Sequence, residues 1–174
     1  MKAIPLGHIA GLELSAGPSV WISLLALWAA LAAGAAVGLK FSMMEAVVGG
    51  LAATALHLLS ELIHQFGHAI AARRTGHPMT GVRLWGVLAG SVYPSDEPEL
   101  PPATHIRRAL GGAPISAIVA LFAGAVAWLF QPVGGLAWAL AVFMALDNLL
   151  VFAIGAFLPL GFTDGSTILR YLKK

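Results

Sequence analysis

Four stretches of the chain, residues 19–39, 44–72, 110–130 and 136–160, are each long and apolar enough to cross a bilayer, and together they take up most of its 174 residues. A spanning helix needs roughly 20 mainly apolar residues. The chain is 59% hydrophobic and 10% charged, where a soluble domain carries about 25% charged residues, so the solvent for most of it is the lipid bilayer. The expected fold is an all-α membrane protein of about four transmembrane helices, forming one domain over residues 1–174 with no soluble regulatory domain. The first 17 residues include Lys2, His8 and Glu13 without a continuous apolar core, so the first span is expected to be an uncleaved anchor. The chain has no cysteine, which excludes disulfides, thiolate metal ligands and cysteine nucleophiles.

With four spans, Lys2, Arg73, Arg74, Arg83, Arg107, Arg108, Arg170, Lys173 and Lys174 fall on one side, and only Lys40 falls on the other. The positive-inside bias then predicts both termini and the loop between the second and third spans on the cytoplasmic side of the cytoplasmic membrane. These cations are spread along the membrane edges without aromatic interleaving, so no nucleic-acid partner is expected.

Residues 1–17 suit a short strand or an interfacial segment. Between Gly76 and Thr104, glycines and prolines punctuate the apolar runs 82–88 and 91–93, which predicts a short β hairpin-like loop between helices two and three, then a Pro-rich acidic loop. The acidic run 95–99 reads as solvated. The third span is expected to begin after Gly111, Gly112 and Pro114, small residues that allow close helix approach.

The second span carries His57, Glu61, His64 and His68, spaced by four, three and four residues, which puts all four on one helical face. An ionisable side chain deep in a bilayer costs about 2.5–3.5 kcal/mol on insertion scales, so it usually faces a partner, a cavity or a functional path. Two histidines at i and i+4 aim their rings at one point, as a tetrahedral metal requires; two interhelical hydrogen bonders would show the same spacing. Asp164 follows the fourth span where it returns to the cytoplasmic edge, at the depth of these histidines. It is either a third ligand, giving a two-histidine, one-carboxylate site, or a turn and helix cap. Zinc suits such a set as one bound ion, and iron, cobalt or nickel take similar ligands.

These residues resemble the site-2 protease family of intramembrane zinc metalloproteases. The family carries His-Glu-x-x-His in its second core helix, and this chain reads His64-Gln65-Phe66-Gly67-His68 followed by AIAARRTG. Ala156-Phe157-Leu158-Pro159 through Thr163-Asp164-Gly165 is similar to the family's third-ligand segment, Ala113-Pro114 to its Ala-Gly-Pro stretch, and GHIAGLEL to the segment before its first span. The resemblance implies zinc held by His64, His68 and Asp164, and a membrane-spanning helix as substrate. That helix must be unwound locally before cleavage, and an added β-strand is one way to hold it, with the runs 82–88 and 91–93 as the receiving edge.

Two departures bear on activity. The family's general base is a glutamate where this chain has Gln65, and a neutral amide cannot take a proton from the attacking water as a carboxylate does. The asparagine that opens the third-ligand segment is Ala156 here. Three accounts stand side by side: an engineered Glu→Gln change, a non-proteolytic protein that keeps the metal, or chemistry rebuilt with Glu61 as substitute base and Asn148 as substitute amide. Glu61 also suits an outer carboxylate holding His57 or His64, and Asp147 and Asn148 suit helix pairing or a water path. The expected function is a site-2-protease-like zinc metallopeptidase scaffold, catalytically impaired or inactive through Gln65, in which Gln65→Glu would restore cleavage. The alternatives are a membrane protein that binds transmembrane segments of client proteins without cutting them, and an ion or proton transporter that uses the histidine stripe.

Overall fold

Ser42 sets the start of the longest helix: its hydroxyl accepts from Glu45 N at 3.3 Å, while the Glu45 carboxylate accepts from Ser42 N at 3.0 Å. This reciprocal cap fixes where the chain turns back after the first helix. The structure is a computed structural model describing residues 3–173; Lys2 and Lys174, both counted in the charge balance, lie outside the described residues.

Among the described residues, four helical stretches are long and apolar enough to cross a membrane. Helix α1 is Val20–Gly38 and α2 is Met43–Arg74. The third stretch is α3 (Pro102–Ala109) followed by α4 (Gly112–Phe130), and the fourth is α5 (Gly135–Leu146) continued by a π-helical segment, Asp147–Ile154, and a 3-10 turn, Gly155–Phe157. A short helix, α6 (Asp164–Leu172), follows. The third span begins earlier than its glycines suggested: Gly112 and Pro114 lie in the first turn of α4, where a proline has no helical hydrogen bond to lose. The fourth ends at Phe157, short of the expected residue 160.

Burial inverts the pattern of a soluble protein, as expected of an integral membrane protein. Ile22, Leu121, Phe122 and Trp128 are exposed on the outside, whereas Ser60, Ser116 and Asn148 are fully buried. Small residues bring the helices together where lipid gives no hydrophobic incentive to associate. A Cβ added to Gly50 would come within 2.7 Å of Ala32 N, so α1 and α2 approach at backbone distance.

The expected hairpin is half of a four-stranded sheet. Strands β1 (Ile4–Ile9) and β2 (Leu12–Ala16) form an N-terminal hairpin, and β2 pairs in parallel with β3 (Gly81–Trp85), which pairs antiparallel with β4 (Leu88–Val92). The run 82–88 does not continue as one strand because Gly86, at φ 59°, turns the chain between β3 and β4. Strand order is β1-β2-β3-β4, which leaves the outer edge of β4 to be covered by something other than a strand.

Candidate metal centre

Helix α2 aims two imidazoles at the start of α6. His64 Nε2 and His68 Nε2 lie 3.0 Å apart, and Asp164 Oδ2 lies 3.4 Å from the first and 3.3 Å from the second. Ligands about 2.0–2.1 Å from a tetrahedral zinc stand about 3.3 Å from one another, so the triangle has the edges of such a site. Among the described residues these three form the group able to hold a metal ion. Asp164 Oδ2 is buried with no hydrogen-bond partner, and a buried acceptor without one is costly; a cation held by the three residues would supply what it lacks. The residues present fit zinc. Asp164 does not cap its helix: Thr163 stands at the cap position and Asp164 is the first helical residue.

The other nitrogen of each ring is held from behind. His68 Nδ1 donates to the Arg108 carbonyl at 2.8 Å, and His64 Nδ1 meets Ser116 Oγ at 3.0 Å. Because a carbonyl only accepts, His68 carries its proton on Nδ1 and presents the Nε2 lone pair to the triangle, the arrangement that orients ligand histidines generally. Gly67 and Gly111 let α2 meet the α3–α4 junction backbone to backbone, and a Cβ on Gly112 would collide with both histidine rings. Neither Arg108 nor Ser116 stood out in the sequence, since a backbone carbonyl has no residue signature and a lone serine in an apolar span reads as packing.

The four-residue stripe of α2 divides in two. His64 and His68 face the triangle, whereas His57 and Glu61 join Gln65 along the β3–β4 hairpin. Gln65 Nε2 donates to Glu61 Oε1 at 3.0 Å and to the Ala89 carbonyl at 3.2 Å, and Gln65 Oε1 accepts from Ser91 Oγ at 2.9 Å. Glu61 therefore holds Gln65, and not His57 or His64. His57 Nε2 faces the Val87 carbonyl at 2.9 Å, and its Nδ1 faces the Asp147 carboxylate at 3.0 and 3.2 Å. Asn148, the candidate substitute for an amide at position 156, lies off the cavity wall. It is fully buried, and its Nδ2 donates to Ser60 Oγ at 2.7 Å and to Met144 O at 2.9 Å. Asp147 and Asn148 both open the π-helical segment, a distortion that recurs at functional sites.

A cavity of about 610 Å³ opens onto the triangle, lined by Glu61, Gln65, β4 and apolar residues that follow the π-helical segment, Ala156 among them. Its rim carries Glu97, part of the run read as a solvated loop, which instead forms a two-pronged ion pair with Arg108 at 3.0 and 2.5 Å. Arg108 also donates to the His77 carbonyl at 2.6 Å and lies 4.1 Å from the centre of the Tyr93 ring. Hydrogen bonds from Arg108 hold the Glu97 carboxyl below its ordinary value of 4.5, and burial pushes the Tyr93 phenol above its ordinary 10.0.

No protein-family model and no curated protein matches the chain. Among solved structures it is similar to the Site-2 Protease from Methanocaldococcus jannaschii, at 17% sequence identity and a TM-score of 0.66, over 99% of this chain and 72% of that one. At that identity the likeness establishes a shared fold.

Proposed function

We propose that this protein is a site-2-protease-like zinc scaffold of the membrane that has lost its proteolytic general base and engages transmembrane segments of client proteins with little or no cleavage. The observation that carries this reading is the state of Gln65. It stands beside the His64–His68–Asp164 triangle, and both ends of its amide are already taken up by Glu61, Ala89 and Ser91. An uncharged amide so engaged lacks the basicity to accept a proton in the cavity.

Zinc held by His64, His68 and Asp164 would supply a Lewis acid that polarises a peptide carbonyl. The chain's own residues do the rest. The His68–Arg108 and His64–Ser116 hydrogen bonds hold the imidazoles in place, Phe152 lies 5.6 Å from the His64 ring and helps keep that wall dry, and the outer edge of β4 offers the backbone on which an extended segment would align. Charge placement supports both termini and the 73–108 region on the cytoplasmic side. Client binding without rapid cleavage is favoured over ion transport because His57 and Glu61, the deeper half of the stripe, hydrogen-bond to protein groups.

The test has two arms. Purified protein is expected to hold about one zinc, lost in His64→Ala and in Asp164→Ala; equal metal in all three would remove the site. Wild-type protein with a transmembrane reporter is expected to give photo-crosslinks near β4 without cleaved product, and metal-dependent turnover at a rate typical of a working protease would overturn the loss of the base.

A further inference from the structure

Among the described residues the outer edge of β4 has no strand beside it, yet several outward polar groups of the β3–β4 hairpin are taken by α2 side chains. Val87 O is taken by His57 Nε2, Ala89 O by Gln65 Nε2, and the Ser91 hydroxyl by Gln65 Oε1; Glu61 lies against the Ala89 backbone and is fixed by Gln65. The three side chains sit at i, i+4 and i+8 of α2, and the three hairpin residues at j, j+2 and j+4. Four helical residues rise about 6 Å and two strand residues about 6.8 Å, so one polar helix stripe can follow one strand edge over this length. Both series ascend together, from the hairpin turn toward Ser91.

We propose that His57, Glu61 and Gln65 form a surrogate strand: a polar helix stripe that closes the outer edge of β4 from within and must be displaced at Gln65 before another backbone can pair there. Within a bilayer an irregular or edge backbone is tolerated only where its polar groups are satisfied by protein or cavity water. A hairpin lying along a spanning helix needs such a cover whenever no client is bound. Glutamine suits position 65 because its amide donates to a carbonyl and to a carboxylate while accepting from a hydroxyl; an ionised glutamate there would offer only acceptors to the first two. The residue at 65 is thus matched to Glu61 and Ala89 and is more than a missing base. The displacement step rests on the client-binding reading above, whereas the cover itself does not.

The experiment uses full-length protein in nanodiscs. Amide hydrogen exchange in segment 88–92 is expected to rise roughly tenfold in Gln65→Ala and in Glu61→Ala, with the β1–β2 hairpin unchanged. Ser91→Ala, which deletes a single hydroxyl contact and leaves the rest of the packing in place, is expected to give a smaller rise in the same segment. Unchanged exchange in the folded variants overturns the surrogate strand. In parallel, a fluorescent synthetic transmembrane peptide with a central Gly-Pro helix break is titrated into each sample. Tighter binding to Gln65→Ala than to wild type, by roughly tenfold, is expected, and equal or weaker binding overturns the displacement step. Binding to neither removes the client reading and the displacement step with it, while the exchange result still decides whether the edge is covered.

Discussion

Arg108 reaches His68 and Glu97 at once: its backbone carbonyl accepts from His68 Nδ1 at 2.8 Å, and its guanidinium grips the Glu97 carboxylate through two contacts at 3.0 and 2.5 Å. A loop residue at the rim of the cavity is thereby tied, through one arginine, to an imidazole of the candidate metal centre.

This tie makes stability depend on pH in a defined window. Arg108 lowers the folded-state value of Glu97 below its ordinary 4.5, so the contribution of the pair is complete above that ordinary value and is lost as pH falls through the lowered one. Glu97→Gln is expected to abolish that part of the acid sensitivity and to destabilise the neutral protein by about 1 kcal/mol, since a neutral amide still accepts one hydrogen bond. Thermal unfolding of both proteins from pH 3 to pH 7 checks this; parallel curves would exclude the pair as their source.

Gly112→Ala is expected to abolish metal binding at the candidate centre while leaving the fold standing. A Cβ there meets the His64 ring and His68 Nε2, and these are side chains that can swing away, at the expense of the triangle. The expectation is loss of bound zinc with unchanged helical circular dichroism, measured by elemental analysis of the purified variant.

Removal of the Ser116 hydroxyl leaves His64 Nδ1 without its 3.0 Å partner. Loss of such an outer contact lowers metal affinity by about 10–100-fold, so Ser116→Ala is expected to lose zinc to a competing chelator at correspondingly lower chelator concentration. Affinity equal to wild type would show that packing alone holds the ring.

Gln65→Glu by itself is not expected to restore cleavage, contrary to the simplest sequence reading. It would place a second carboxylate where Gln65 Nε2 now lies 3.0 Å from Glu61 Oε1, and two buried carboxylates at that distance cannot both ionise. A destabilisation of roughly 3 kcal/mol is expected. The exchanged pair Glu61→Gln with Gln65→Glu removes that repulsion, though not the lost donor to the Ala89 carbonyl, and is expected to recover part of the lost stability and to show reporter cleavage where the single variant shows none.

Local features are the most legible in the sequence. Four apolar stretches and the i, i+4 histidines are properties of consecutive residues, and Asp164 was reachable because a fourth span must return the chain to the side it left. A stripe that serves two purposes is not legible from spacing. His57, Glu61, His64 and His68 share a helical face, but that face is wide enough to meet β4 along one flank and the α3–α4 junction along the other, and spacing cannot say which neighbour each residue meets. The same limit hid Glu97: an acidic residue among prolines reads as solvated until a buried arginine is found opposite it.

By itself, then, the sequence determined the solvent, the number of spans and the residue types available to a metal, because hydropathy and helical periodicity are set within a turn or two of chain. Only the tertiary structure decided that Arg108 and Ser116 orient the imidazoles, that Asp147 holds His57 across 90 residues, and that Gln65 belongs to β4. Those outcomes depend on which backbones approach closely enough to hydrogen-bond, and glycine contacts such as Gly67 against Gly111 settle that only once the helices have packed.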